Sequence, residues 1–208
     1  MCGITGIANF NQKPKKEIVQ IMNSYLSHRG PDNSSIYENN FLIMAMSRLK
    51  IIDMSDKSDQ PLSDNNDKIF ITYNGEIYNF AELKKKYCMN YNFKSSGDGE
   101  VLVPLFLKFG IDFISKIKGM FSIAIADLRY NKFYLIRDRF GIKPLYYYFD
   151  NKINELSYSS EIQSLFQNKK INKEANYNEI FKYLNYSMVN STNETWFKNI
   201  YQLESSHF

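Results

Sequence analysis

Alternating apolar and polar residues in the middle of the chain constrain its fold more than any other feature. A period of two is the spacing of a strand with one buried face, and seven segments show it or the accompanying enrichment in β-branched and aromatic side chains. These segments are residues 4–10, 41–47, 69–73, 121–127, 132–137, 145–149 and 156–159. Short turn-like segments often separate them, including residues 73–76, with an Asn-Gly pair typical of a hairpin, and residues 128–131. Because connections this short suit antiparallel neighbours, the sequence predicts antiparallel sheets.

Helical periodicity occurs among the strand groups. Five segments show it: residues 15–26, 80–86, 100–109, 161–166 and 177–186. Gly110 follows the third of these and predicts its C-terminal end. Residues 55–68 are rich in Asp, Ser and Asn and predict a surface loop. This order of elements favours an α+β fold in which two antiparallel sheets lie between helical layers.

Charge and composition argue against several classes of function. The 26 basic and 22 acidic residues are interspersed, so the sequence offers no basic track for nucleic acid. No apolar run approaches the roughly 20 residues that span a bilayer and no secretion signal opens the chain, so we expect a cytoplasmic protein without membrane association. Two cysteines and two histidines are too scattered for a disulfide framework or a metal site, and Cys88 is expected to be an ordinary residue at a helix end.

Cys2 is the first candidate for chemistry. Removal of Met1 exposes a residue with a thiol and a free α-amine, whose reference pKa values are about 8.5 and about 7.7–8.0. The neutral amine can accept the thiol proton as attack begins, so no catalytic histidine is needed. Position alone favours the alternative, a processed but inert terminus. Residues 3–7 describe a strand that carries Cys2 and has glycine where a substrate or backbone must approach, which favours the catalytic interpretation.

Five motifs occur in an order and spacing typical of one family. They are residues 2–7 (Cys-Gly-Ile-x-Gly-Ile), 28–32 (His-Arg-Gly-Pro-Asp), 47–53 (Ser-Arg-Leu-x-Ile-Ile-Asp), 60–62 (Gln-Pro-Leu) and 73–79 (Tyr-Asn-Gly-Glu-Ile-Tyr-Asn). On these motifs the chain resembles the class II glutamine amidotransferases. Residues 119–122, 137–147 and 159–162 make it resemble, within that class, the glutaminase half of glutamine-hydrolysing asparagine synthetases. The resemblance spans essentially the whole chain and implies an N-terminal-nucleophile hydrolase fold, a four-layer αββα sandwich, and hydrolysis of L-glutamine to L-glutamate and ammonia.

Three catalytic residues are implied by the resemblance. Cys2 is the nucleophile, and Asn74 and Gly75 supply a side-chain amide and a backbone N–H that stabilise the oxyanion of the tetrahedral intermediate. The absence of a side chain on Gly75 permits the backbone geometry that brings the two donors together.

A pocket for free glutamine requires a cation for its α-carboxylate and a carboxylate for its α-ammonium. The resemblance implies that Arg48 holds the carboxylate bidentately and that Asp98 accepts from the ammonium, with Glu76 as a second acceptor. It also implies that the backbone near Ile52 lines the pocket. Spacing alone assigns none of these roles, because single charged residues are more often solvated surface residues.

Two further matching segments carry weaker implications. Residues 28–32 resemble a loop that closes over bound glutamine, with Arg29 in contact with the closed pocket. We expect His28 to be structural, because the amine of Cys2 already supplies a base. Residues 137–148 predict a strand, a turn at Gly141 and another strand, and no catalytic role is expected there.

The chain is expected to form one glutaminase domain, residues 1–208, of which residues 190–208 approach an absent C-terminal synthetase domain. Ser205-Ser206 stand where the family has Pro-Gly, and the Ser-Gly-Gly-x-Asp-Ser pyrophosphate loop of the ATP-using domain does not occur. We therefore expect no cofactor in this domain, with ATP and Mg bound only by a synthetase domain or a separate synthetase partner. A homodimer is compatible with the sequence.

Three alternatives stay open at this point. The ammonia acceptor could be a carboxylated sugar of a surface-polysaccharide pathway instead of an activated aspartate. The chain could also be a non-catalytic docking module of the same fold, although its intact motif set argues against this. An amidohydrolase acting on another amide is the third alternative, and the pairing of Arg48 with Asp98 argues against it.

Overall fold

Two antiparallel sheets form the centre of the protein, in a computed structural model that describes residues 1–189 and 192–208. The strands are β1 (Gly3–Asn9), β2 (Asn33–Glu38), β3 (Leu42–Arg48), β4 (Leu62–Ser63), β5 (Ile69–Ile77), β6 (Gly119–Asp127), β7 (Lys132–Arg137), β8 (Tyr146–Asp150), β9 (Glu155–Ser159) and β10 (Tyr201–Gln202). One sheet has the order β10-β8-β9-β1-β3-β2 and the other the order β4-β5-β6-β7. All pairings between these strands are antiparallel, which confirms that prediction.

Helices cover the outer face of each sheet. On one sheet these are α1 (Lys16–Ser24) and α4 (Ile162–Leu165), and on the other α2 (Phe80–Tyr87) and α3 (Leu102–Phe109). A fifth helix, α5 (Tyr177–Tyr186), leaves most of its apolar side chains exposed. Shorter 3-10 turns occur at Asp56–Ser58, Gly99–Val101 and Gly110–Ser115. All five predicted helices are present, and α3 ends before Gly110 as predicted. The predicted start of α3 at residue 100 falls in the 3-10 turn that precedes the helix.

Alternation along the strands separates three apolar layers. On β1, Ile4 packs between the two sheets, whereas Ile7 packs with Val19 of α1 on the outer face. On β5, Phe70 packs between the sheets, whereas Ile71 packs against α3 on the other outer face. β1 and β5 therefore bury both of their faces, which requires a helical layer on either side. The predicted αββα sandwich is confirmed.

Two local predictions are wrong. Asn74-Gly75 is not a hairpin turn, because β5 runs unbroken from residue 69 to residue 77 and pairs with β6 over its whole length. Residues 55–68 are not simply a surface loop, because they contain β4 and bury Gln60 and Asp64. The Gln60 side chain bonds both backbone polar groups of Tyr73, accepting from its N–H and donating to its C=O. The polar composition of this segment did not predict these contacts. The Gln60 side chain takes the place of a neighbouring strand by bonding to the backbone of β5.

The end of the chain returns to the strands beside the turn at Gly141. Arg137 donates from its backbone N–H to His207 O and from its side chain to Leu203 O, and Ser206 N–H donates to Asp138 O. The predicted approach to a further domain begins at residues 190 and 191, which lie outside the described residues, so that assignment stays a prediction. Among the helices described here, none is long and apolar enough to cross a membrane.

Candidate active site

The strand register brings Cys2 and Arg48 together at one end of the sandwich. Gly3 of β1 pairs with Ser47 of β3, so Cys2 and Arg48 follow as neighbours across the two strands. Cys2 shares its strand face with Ile4, which packs between the sheets. The register therefore places the thiol at the rim of the space between the sheets.

A cavity of about 170 Å³ opens at this rim. All seven predicted site residues line it: Cys2, Arg48, Ile52, Asn74, Gly75, Glu76 and Asp98. Asn74 reaches the cavity from the opposite sheet, because it lies on the same inward face of β5 as Phe70. The fold thus gathers residues from β3, β5 and two loops around the thiol of Cys2.

Backbone groups hold the Cys2 thiol in place. The N–H of Leu49 donates to Cys2 Sγ at 3.4 Å, and the thiol lies 3.6 Å from Leu49 O. Burial raises the pKa of the thiol, while the Leu49 N–H and the positive charges of the N-terminus, Arg48 and Lys143 oppose that rise. The Leu49 N–H and the nearby positive charges therefore favour the thiolate, but they do not overcome the cost of desolvation.

Asn74 presents an unpaired donor to the cavity. Its side chain is 1% exposed, and Nδ2 has no hydrogen-bond partner in the described part of the chain. Burying an unpaired amide costs about 1–3 kcal/mol, so such a group in a folded protein calls for an explanation. A ligand oxygen that binds in the cavity would supply the missing acceptor.

Gly75 offers a second donor through its backbone. Phe121, its partner on β6, uses its N–H and C=O toward Asp138, on the side of β6 away from β5. Gly75 and Phe121 are therefore a pair without hydrogen bonds to each other, and the Gly75 N–H is directed to the free edge of β5. A Cβ at Gly75 would come closer than 3 Å to Met120 O, so only glycine fits this close approach of the strands. This requirement, and not a turn, explains the glycine.

Arg48 is buried and already bonded to the loop that follows β3. Its guanidinium donates to Ser55 O at 2.8 Å and to Asp53 O at 2.5 Å, and it forms an ion pair with Asp59. Three of its five N–H groups are used in this way, which leaves two for a carboxylate. The predicted bidentate contact is thus compatible with the loop geometry, and Arg48 also shapes the wall that includes Ile52.

Asp98 lies across the cavity, immediately before the 3-10 turn Gly99–Val101. Its Oδ2 accepts from the Ile77 N–H at 2.7 Å and from the hydroxyl of Tyr73. Burial and the Asp98 carboxylate raise the pKa of Tyr73 well above its usual value, so the hydroxyl keeps its proton and donates. Both contacts fix the orientation of the carboxylate, while Glu76 on β5 adds a second negative charge to the same cavity.

Several lining residues were not predicted. Lys143, Gln60 and Tyr73 line the cavity, and Asp53 joins two of its walls by accepting from the N–H and hydroxyl of Ser96. Each belongs to a matching motif, so the signal was present in the sequence. Composition could not show that the turn before β8 brings Lys143 back to Cys2.

The segment at residues 28–32 packs against the nucleophile. Arg29 donates from Nε to Cys2 O at 3.0 Å and from Nη1 to Glu161 at 2.8 Å. His28 also contacts Glu161, at 3.0 Å, and is largely exposed. Closure of this segment over a ligand stays a prediction. In the described part of the chain, no group of three or more His, Cys, Asp or Glu residues is placed to hold a metal ion.

Comparisons with known proteins agree with this geometry. The chain is 38% identical over 197 residues to a putative glutamine-hydrolysing asparagine synthetase 2 of Methanocaldococcus jannaschii, covering 86% of this chain and 38% of the relative. It is 38% identical over 216 residues to the glutamine-hydrolysing asparagine synthetase 2 of Bacillus subtilis, covering 100% of this chain and 28% of that relative. The chain therefore spans well under half the length of these relatives.

A solved structure shows the same fold. The glutamine phosphoribosylpyrophosphate amidotransferase from Bacillus subtilis, complexed with ADP and GMP, superposes with a TM-score of 0.67 at 19% identity, covering 79% of this chain and 43% of that chain. A family model for the glutamine amidotransferase domain matches residues 1–208. The chain therefore belongs to the glutamine amidotransferase domain family, in its class II, N-terminal-nucleophile branch.

Proposed function

We propose that this chain hydrolyses L-glutamine to L-glutamate and ammonia, with the thiol of Cys2 as nucleophile after removal of Met1. The observation that carries the proposal is the amide of Asn74, unpaired within the described part of the chain, in the cavity that also contains the thiol. Gly75 lines the same cavity, and its N–H is directed to the free edge of β5. Two donors beside a nucleophile can stabilise a tetrahedral oxyanion. The names of the relatives support glutamine as the amide that is hydrolysed.

The proposed reaction has two stages. First, the α-amine of Cys2 accepts the thiol proton while Sγ bonds to the side-chain amide carbon of glutamine, and the oxyanion develops toward Asn74 and Gly75. Collapse breaks the C–N bond, and the protonated amine returns its proton to the departing nitrogen, giving ammonia and a thioester. Water then adds to the thioester and breaks the C–S bond. This step releases glutamate and restores the thiol.

Charges in the cavity suit a free amino acid. Arg48 retains two N–H groups for the α-carboxylate, while Asp98 and Glu76 supply carboxylates for the α-ammonium. The backbone near Ile52 forms the wall beside Arg48. An amide in the middle of a peptide has neither terminal charge, so this arrangement favours glutamine itself over an amidohydrolase acting on a protein or an acyl amide.

The ammonia is proposed to pass to an ATP-dependent synthetase, either a following domain or a separate chain, with ATP and Mg bound there. The names of the relatives favour asparagine synthesis over the amidation of a carboxylated sugar. The proposed site residues all come from one chain, so a homodimer is not needed to complete the site. A nucleophilic thiol works only when reduced, which suits the cytoplasm.

Glutamate release from glutamine by the purified chain tests the proposal. Intact mass first establishes whether Met1 has been removed. Cys2→Ala should abolish release, whereas Cys88→Ala should keep it, because Cys88 is buried in the layer of α2 and α3. Asparagine and a peptide with internal glutamine, used as competitors, should not compete. Absence of activity in fully processed, folded chain would refute an autonomous glutaminase and favour a docking module.

A further inference from the structure

Lys143 has a rigidly built position beside the nucleophile. The carboxylate of Asp138 accepts from the backbone N–H groups of Phe140, Ile142 and Lys143, each at 3.0 Å. Arg137 donates to Gly141 O and to Lys143 O from the other side. Five hydrogen bonds thus fix a six-residue turn whose last member lines the cavity.

The ammonium of Lys143 lies at the N-terminal side of Cys2. Nζ is 3.2 Å from Met1 Sδ, and the residue is only 5% exposed. Among the ion pairs of the described residues, none includes Lys143. Burying an ammonium without a carboxylate partner is unfavourable, and burial together with the nearby Arg29 charge lowers its pKa. The fold therefore keeps a poorly compensated cation next to the place where the new N-terminus forms.

We propose that Lys143 is a positioning residue that acts through Cys2: its charge keeps the released α-amine neutral and favours the thiolate. This inference rests on the proposed role of Cys2 as nucleophile. A positive charge destabilises a second ammonium and stabilises a thiolate, so one cation serves both halves of the nucleophile–base unit. It also opposes the effect of burial, which by itself raises the pKa of the thiol.

Other charged and titratable groups act on the same unit and set the background for any measurement. From the elements packed around Cys2 these are Arg29, Arg48, Tyr73 and Glu76, and Lys143 in turn also faces Asp138. Two of the cations, Arg29 and Arg48, have carboxylate partners in Glu161 and Asp59. Lys143 has no such partner among the described residues, so its removal changes the local charge most directly.

The pH dependence of Cys2 alkylation tests the inference without any need for glutaminase activity. In a Cys88→Ala background only one thiol is left, so its rate of reaction with iodoacetamide reports thiolate formation. Lys143→Gln, with Met1 removal established by intact mass, should shift the midpoint of the rate profile upward by about one pH unit. Lys143→Arg should restore the original midpoint. Lys132→Gln, an exposed lysine at the start of β7, controls for net charge and should not shift it.

A second neutral variant and a measurement of thermal stability separate effects of packing on the midpoint from effects of charge. Lys143→Met keeps most of the side-chain volume and should show the same upward shift, with unchanged cooperative thermal unfolding. The pH profile of kcat/KM for glutamine should move in parallel. Midpoints that are equal in the native chain, Lys143→Gln and Lys143→Met would overturn the inference, even if the variants were less active. Absence of glutaminase activity with a shifted alkylation midpoint would instead refute the proposed function alone.

Discussion

The amide of Asn74, which has no partner among the described residues, predicts a large effect on activity and a small effect on stability. If Nδ2 finds its acceptor only in the oxyanion, Asn74→Ala should lower kcat by about 10²–10³-fold, or about 2.7–4 kcal/mol of transition-state stabilisation. KM should change little, because glutamine in the ground state is bound mainly through its α-carboxylate and α-ammonium groups. The variant also removes a buried donor whose burial costs about 1–3 kcal/mol. Lost packing offsets that relief, so we expect the free energy of unfolding to change by less than about 1 kcal/mol.

Steady-state glutamate release and urea unfolding of the processed chain measure both quantities. Ser122→Ala is a matched control, because Ser122 pairs with Asn74 across β5 and β6 and its hydroxyl is also buried without a partner in the described chain. Ser122 does not line the cavity, so kcat should be unchanged in that variant. Asn74→Ala with native kcat would refute the oxyanion assignment. A loss of stability above about 3 kcal/mol would show that the amide is bonded in the free protein.

Three further variants test the site. Gly75→Ala should lose about 1–3 kcal/mol of stability and at least tenfold in kcat, because the added Cβ would clash with Met120 O. Urea unfolding and steady-state kinetics measure the two effects, and a variant with native stability and kcat would contradict the close approach of the strands. Asp98→Asn keeps the shape and its hydrogen-bond acceptor, so KM for glutamine should rise about ten- to a hundredfold with a smaller effect on kcat; an unchanged KM would exclude the ammonium contact. Bonds from Ser55 and Ser96 hold the pKa of Asp53 well below its usual value, so its contribution to stability is present above about pH 4 and is lost on acidification. The stability difference between the native chain and Asp53→Asn should therefore be constant from pH 7 to about pH 4 and shrink below about pH 4, and a difference that stays constant below that pH would refute the assignment.

Strands were predictable where alternation and pairing agree. β7 has the bounds that the sequence predicts, because each alternate residue meets an apolar layer. β5 continues past its predicted end at residue 73, since the pairing with β6 outweighs the turn preference of an Asn-Gly pair. β2 was missed because it is an edge strand whose residues are only half-buried, and so it lacks a clear period.

The site was predictable to the extent that motif and strand face define it. Alternation along the strands places Cys2 and Asn74 on the faces that point between the two sheets, so the packing of the sheets brings the two residues together. Lys143 could not be placed in this way, because its approach to Cys2 depends on a turn fixed by Asp138. The bonds of Arg48 to the loop after β3 were also beyond prediction, since backbone carbonyl acceptors have no signature in the sequence.

The return of the chain end to the turn that carries Lys143 has a practical consequence. Arg137 holds that turn with one part of its guanidinium and Leu203 O with another, so the two segments share one side chain. Shortening the chain before Leu203 would remove the acceptor of Arg137 Nη1, while the hydrogen bonds within the turn would remain. A tag, a linker or a fused domain attached at residue 208 would pull on the same side chain. Mechanical load at the carboxyl end can thus reach the turn that carries Lys143 through Arg137 and through the bond from Ser206 N–H to Asp138 O.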